Sequence, residues 1–402
     1  MKLWKKIILF LLLVLILAQI PFIYRRYKTG NLGAKISNLD AQKQTLTDSK
    51  FNEFKGVIHV HTSLGGHSTG TFDELIGAAR KNNLDFVVMT EHPTELFDTS
   101  ALTLQGAIGG VLFVNGNEAN TKTDERFLIL NGFPGANQSR QFDTPEFLRK
   151  TRAENKLAFI TYPEKFNSWN ADFDGIEVFS LFTNAKQANA AFFLLDALWS
   201  FPAHPELTLA QYFNRPDANL QRFDEVAKNR KTTLFAGSDA HSNIGFHLAG
   251  DDAGHKLINL KLDRYETIFR LVRTHVLLEK DKPLTQENLL AALKNGRAFI
   301  GFDCLSDTGG FSFTAENTGE SKTMGDDISL AEGGVNLQTA APQIARFVIF
   351  KNGEKVFEEK EKTQISFRAA EKGAYRIEVY LDTLGAPFDR TPWIISNPIY
   401  VK

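Results

Sequence analysis

The sequence predicts an α/β fold extended by an all-β unit, and three patterns predict it. Short β-branched and aromatic runs alternate with helical spacing over about 200 residues, which reads as strand–helix units around a parallel sheet, closed or open. From about Asp303 the helices stop and strands succeed one another through turns. Ahead of both lies an apolar run of about 18 residues between basic flanks, nearly enough to span a hydrocarbon core of ~30 Å.

In chain order, "MKLWKKIILFLLLVLILAQIPFIYRRYK" comes first. The run from Ile7 to Tyr24 is interrupted only by Gln19 and Pro21, and Ile7 to Ala18 has no polar face. A good small-x-small cleavage site is missing around Leu17-Ala18-Gln19, so residues 1–29 read as an uncleaved signal anchor, a transmembrane helix. Lys2, Lys5 and Lys6 nearly balance Arg25, Arg26 and Lys28. Because short N-terminal anchors commonly export the chain behind them, the expectation is a single-pass membrane protein with its body on the extracytoplasmic side.

Residues 30–53 are polar without an apolar period and read as a linker. Residues 54–302 carry the alternation. "GVIHVH", "LDFVVMT", "GVLFVNG", "RFLILNG", "LAFITYP", "GIEVFS" and "TTLFAGS" are strand-like. Helical patterns separate several of them: "TFDELIGAARKNN" with Thr71 as N-cap, "TPEFLRKTRAENK" and "LQRFDEVAKNRK". Residues 303–402 read as a small β sandwich, with Lys351-Asn352-Gly353 as a hairpin turn.

Composition narrows the chemistry. A net charge of −1 gives no electrostatic reason to expect nucleic acid. The lone Cys304 rules out an intrachain disulfide and a Cys-rich zinc site. No Gly-x-Ser-x-Gly elbow or glycine-rich phosphate loop is present, which leaves water as the expected nucleophile.

The titratable groups collect at predicted strand ends. His59 and His61 are two apart in "GVIHVH", so on a strand they share a face, and His67 lies in the glycine-rich loop after it. "MTEHP" adds Glu91 and His92, "NGNEAN" adds Glu118, and "FAGSDAHS" adds Asp239 and His241. In a parallel barrel the C-terminal ends of all strands open on one face. His59, His61, His67, His92, Glu118, Asp239 and His241, seven potential ligands, would converge there on metal.

"HVHTSLGGHS", "TEH", a Glu on a following strand and "GSDAHS" resemble the ordered motifs of the PHP (polymerase and histidinol phosphatase) superfamily, over roughly 56–301. "YETIFRLVRTHVLL", "NGRAFIGFDCL" and "TPWIISNPIYV" are similar to its CehA/McbA-like metallohydrolase group. The resemblance implies a distorted (βα)7 TIM-like barrel followed by a small β domain. It also implies one metal on His59, His61, Glu118 and Asp239 and another on His67, His92 and His241. In trinuclear members two more histidines hold a third ion. Here "ITYP" has Tyr162 at one of those places and "RFLILNG" has no histidine, so one or two divalent ions are expected, Zn²⁺, Mn²⁺ or Fe²⁺. Glu91 stands where the group usually has Asp and would orient a ligand histidine; Tyr162 would line the pocket as a hydrogen-bonding wall.

Such ions lower the pKa of bound water from about 16 towards 7. Asp239 is expected both to bind metal and to hold the proton of the resulting hydroxide, and His241 to serve as ligand or in proton transfer. Lys165, just beyond a strand end, is the candidate cation for a phosphoester substrate. Arg273 and His275 in "LVRTHVLL", read as helical, are expected in core or salt-bridged roles, and His204, His247 and His255 fall in apparent loops without a role. The function expected is a membrane-anchored phosphoesterase acting on a small-molecule or cell-envelope substrate. The alternatives are a hydrolase of carboxylic or carbamic esters or amides, and a non-catalytic barrel scaffold. No protein partner can be inferred.

Overall fold

A computed structural model describes residues 3–44, 50–186, 189–243, 245–250 and 256–402. The first helices, α1 (Leu3–Leu17) and α2 (Ile20–Ala41), are nearly continuous, and α1 buries no side chain. Together they form one helical segment long and apolar enough to cross a membrane. Residues 30–41, expected as linker, belong to α2. Leu32, Ile36 and Leu39 make a short i, i+4, i+7 stripe, and Ile36 is buried against the body. Gly33 packs near Leu207, and Gly30 passes close to His204.

The body is a closed ring of strands. β1 (Phe51–Val60) pairs in parallel with β2 (Phe86–Met89), and β2 in parallel with β3 (Val111–Val114). The chain kinks directly into β4 (Gly116–Asn120), which stays attached to the β2 side through a parallel bridge between Glu91 and Asn117. β5 (Arg126–Leu130) pairs antiparallel with both β4 and β6 (Leu157–Thr161). β7 (Gly175–Ser180) and β8 (Thr233–Ala240) then follow in parallel, and β8 closes onto β1. With β3 and β4 as one kinked strand, the ring has the distorted sevenfold form. β5 departs from the expected parallel alternation because its connection from β4 is a tight turn, Thr121 N–H to Glu125 O at 2.9 Å, with no room for a crossover helix.

The helices arise as their signals predict. α3 (Phe72–Lys81) starts with a complete capping box between Thr71 and Glu74 and buries Leu75, Ala78 and Ala79. α4 (Thr144–Ala153) is capped by Asp143. Further along come α5 (Ala190–Trp199), capped by Asn189, and α6 (Asp217–Ala227).

"LVRTHVLL" is strand, not helix: β9 (Arg273–Glu279) pairs antiparallel with the first half of β1, Phe51–Gly56. β10 (Ala298–Gly301) continues that sheet into the C-terminal β unit. There the long hairpin β11 (Val335–Lys351) and β12 (Glu354–Ala369) turns at Asn352-Gly353, both with positive φ as such a turn requires. β13 (Gly373–Tyr380) pairs with β11 and with β14 (Ile394–Ser396), and β14 pairs with β10. The sheet of the β unit runs into the barrel through β10, β9 and β1. A buried ion cluster also locks the two, with Arg376 on Asp224 of α6 at 2.7 Å and on Glu378 at 2.5 Å. His247 lies on a hairpin strand, Gly245–Gly250, rather than in a loop, and His255 lies outside the described residues.

Candidate metal centre

β1 places His59 and His61 together by a route other than simple alternation. His59 sits on a bulge, with φ of 72°, and His61 lies just past the strand end, where its N–H bonds Ala240 O at 3.0 Å. Their rings nevertheless meet, 5.1 Å apart. Tyr162 and Asp239 also have left-handed backbone, φ of 53° and 45°. Non-glycine residues adopt this conformation at a cost, and it clusters at functional sites.

His59, His61, Glu118 and Asp239 are all buried, with one ligand atom from each within 4.8 Å of every other. His59 Nε2 is 3.4 Å from Glu118 Oε2 and 3.4 Å from Asp239 Oδ1; His61 Nε2 is 3.3 Å and 3.6 Å from the same two oxygens. These separations are long for good hydrogen bonds. They match the ~3.3–3.6 Å that separates two donors held tetrahedrally at ~2.0–2.2 Å from one ion. Both ring nitrogens of His61, and Asp239 Oδ1, are buried without a hydrogen-bond partner. Buried polar atoms left open in this way are costly unless something binds them. The donor set fits a divalent cation.

A second group joins His61, His92 and His241. The rings of His92 and His241 each stack near His61, at 4.5 Å and 4.3 Å, and lie 6.1 Å from one another. His67, assigned to this set by the resemblance, is not in either group. It is exposed, with its ring 4.9 Å from His92, at the mouth of the cavity. The glycine-rich loop carries it outward, and Gly65 lets that loop pass close: a Cβ there would meet His92 N at 2.9 Å.

The surroundings set the protonation. Burial pushes His61 down to about 3 and His92 to about 4, which keeps both as neutral imidazoles able to ligate. Burial also disfavours a charged His59, but the carboxylates of Glu177 and Asp239 outweigh it and hold His59 well above its ordinary value. Burial opposes ionisation of Glu118 and Asp239 too. His59 and its neighbours prevail, and both carboxyls stay below the usual range. A cation and a proton therefore compete for His59 Nε2.

Two supporting residues escaped the sequence reading. Glu177, wholly buried on β7, accepts from His59 Nδ1 at 2.9 Å and from the Thr161 hydroxyl. This turns Nε2 of His59 inward. Gly237 makes room for it, since a Cβ there would overlap Glu177 Oε1. Arg126, at the start of β5, bonds Glu118 Oε1 at 3.1 Å and lies 4.9 Å over the Tyr162 ring. The remaining expected residues have definite partners. Tyr162 donates to Asp239 Oδ2 at 2.7 Å, and burial keeps its phenol protonated. Glu91 accepts from Thr62 N and Oγ1, at 3.0 and 2.6 Å, and from Thr103 Oγ1 at 3.1 Å, and so fixes the backbone beside His61. Lys165 lies 5.9 Å from the Tyr162 ring and does not line the cavity, whereas Arg126 does.

His92, Glu118, Arg126, Tyr162, Asp239 and His241 line one end of a cavity of about 750 Å³. Its other walls are mixed: Phe193, Leu209, Tyr212 and Phe213 supply apolar surface, and Asn120, Arg140 and Asn184 supply polar groups.

No family model matches the chain, and neither does any curated protein. Solved structures similar to it include the following two. One is a two-domain protein from Bacteroides vulgatus ATCC 8482 containing a predicted PHP-like metal-dependent phosphoesterase, 13% identical, with a TM-score of 0.37 over 89% of this chain and 98% of that one. The other is PsfC from Pseudomonas syringae PB-5123, 13% identical, with a TM-score of 0.39 over 63% of this chain and 94% of that one.

Proposed function

We propose that the chain is a metal-dependent hydrolase of phosphoesters, tethered to a membrane by α1 with its body on the extracytoplasmic side. The observation that carries the reading is the buried set of four donors, spaced as around one ion and left open at His61 and Asp239. His59, His61, Glu118 and Asp239 would hold a first divalent ion, and His92 and His241 with His61 could take part in a second. Such ions supply Lewis acidity, bringing a water's pKa towards neutrality and polarising a phosphoryl oxygen.

The chain's own residues do the rest. Glu177 fixes the tautomer of His59, and Glu91 holds the turn that carries His61. Tyr162 donates to one oxygen of Asp239 and leaves the other, Oδ1, facing His59 and His61, where it would bind the ion. Arg126 is the guanidinium nearest the centre and lines the cavity, so it suits a phosphoryl oxygen better than Lys165 does.

The test uses the full chain in detergent, purified without chelators. Elemental analysis is paired with hydrolysis of p-nitrophenyl phosphate, bis-p-nitrophenyl phosphate and p-nitrophenyl acetate. One or two ions per chain with phosphoester turnover supports the reading. Turnover of acetate alone replaces it with ester hydrolysis. No metal after reconstitution with zinc, manganese and iron would overturn it.

A further inference from the structure

α5 has two apolar faces with different neighbours. Inward, Phe193 lines the cavity, and its ring lies 5.6 Å from Tyr212. Outward, Leu194 and Leu198 are 59% and 64% exposed, and Phe192, on the flank towards α2, is 55% exposed. A single exposed leucine is ordinary, but three large apolar side chains on one ten-residue helix are not.

The N-terminal segment says what covers them. α5 rests on the start of α2, where the apolar run ends. Trp199 Nε1 donates to Gln19 Oε1 at 2.9 Å, and the Phe22 ring lies 6.2 Å from that of Phe192. Arg25 grips Asp196 through two bonds, 2.9 and 2.6 Å, and reaches Gln211 at 2.9 Å. Asp196, the one charge on α5, is thus buried and neutralised. Ile20, Ile23, Tyr24 and Tyr27 continue the outward apolar surface from α5 onto α2. Exposed apolar residues with tyrosines, continuous with a membrane-length helix, are the composition of an element lying in the membrane interface.

We propose that α5 lies in the surface of the bilayer that α1 crosses, and that the cavity behind it takes a phosphoester lipid from that bilayer. The phosphate reaches the metal centre and Arg126, and the hydrocarbon chains lie along Phe193, Leu209 and Tyr212. This deepens the phosphoesterase reading and rests on it for its chemistry. With phosphatidic acid, the oxygen of water bonds to phosphorus and the bond from phosphorus to the glycerol oxygen breaks. The water's proton ends on the departing alkoxide, giving diacylglycerol and inorganic phosphate.

The experiment uses the metal-loaded full chain in phosphatidylcholine vesicles with two arms. In the first, a bimane label on Leu198→Cys, in a Cys304→Ser background, is exposed to doxyl lipids and to aqueous iodide. Quenching by the lipids supports docking; quenching by iodide alone overturns it. In the second, the vesicles carry dioleoyl phosphatidic acid or dioleoyl phosphatidylglycerol, and p-nitrophenyl phosphate serves as the water-soluble comparison. The proposal expects kcat/KM at least tenfold higher on one of the lipids. It also expects Leu194→Glu with Leu198→Glu to remove that advantage while p-nitrophenyl phosphate turnover stays unchanged. Turnover of p-nitrophenyl phosphate with neither lipid hydrolysed overturns the substrate class. If none of the three is hydrolysed, the phosphoesterase reading fails, and the quenching arm still decides the docking.

Discussion

Among the described residues, the candidate metal centre and the cluster around His275 both bury imidazole beside carboxylates, and they are built to opposite ends. At the metal centre, His61 has no hydrogen bond on either nitrogen, and Asp239 leaves one oxygen open. Around His275, on β9, nothing is open. Its Nδ1 meets Glu53 at 2.6 Å, and its Nε2 meets Thr308 at 3.0 Å and Asp303 at 3.3 Å. Asp303 in turn binds Arg273 at 3.1 Å, and the imidazole stacks on Phe299. Both clusters mix imidazoles with carboxylates in the interior, so residue type does not separate them. What differs is whether the polar atoms saturate one another, and that marks a site kept for a ligand apart from one that ties the fold together.

The sharpest way to break this contrast is His61→Ala, which should cost metal binding and turnover by more than the ~10–100-fold typical of losing a supporting partner. Elemental analysis beside the rate decides; full metal content would mean that the open atoms of His61 are incidental. Next comes Glu177→Gln, which keeps shape but weakens the hold on His59. Metal affinity, read by chelator competition, is expected to fall by about 10–100-fold. Tyr162→Phe should lower kcat by about tenfold or less with metal content unchanged, the size of one hydrogen bond.

The smallest effect on the centre should come from the other cluster. His275→Gln is expected to leave metal content and turnover alone and to lower stability instead. Burial alone would depress His275, yet Asp303 and Glu53 raise it to about 9, above its ordinary 6.5. A raised pKa means that the folded state holds the proton more tightly. The stabilisation, about 3 kcal/mol, is therefore full below pH 6.5 and fades as pH climbs through 9. Urea denaturation across that range should show the decline in the parent chain and a flatter profile in the variant. Equal slopes would show that His275 does not carry the charge.

Much of the first cluster was legible because histidines and carboxylates at the ends of apolar strands have few structural uses. Glu177 was not, since "GIEVFS" reads as an ordinary strand; the available signal was a carboxylate amid Ile, Val and Phe, which needs a buried partner. Arg126 gave no signal of its own, because a basic residue opening the strand "RFLILNG" is ordinarily a solvated one. The parallel alternation was legible from the spacing of runs, but the reversal of β5 turned on a loop of a few residues. The helix over residues 30–41 was missed because its stripe is only Leu32, Ile36 and Leu39, and its partners lie more than 150 residues away. His275 was placed on a helix because "LVRTHVLL" satisfies either period, and only its pairing with β1 resolves it.

That pairing also governs how the chain is made. β1 appears early in synthesis, and β2 soon covers one edge of its inner half, but its outer half pairs with residues 274–279 and the other edge of its inner half with β8. The first strand thus waits for segments about 180 and 220 residues later, a high contact order of the kind that slows folding. Until they arrive, His59 has no Asp239 beside it and one edge of β1 is bare, open to other chains. On the metal-site reading, capture of an ion would report a completed barrel. Chains stopped before Arg273 should collect in the insoluble fraction, and finding them soluble and metal-loaded would show that β1 needs no such cover.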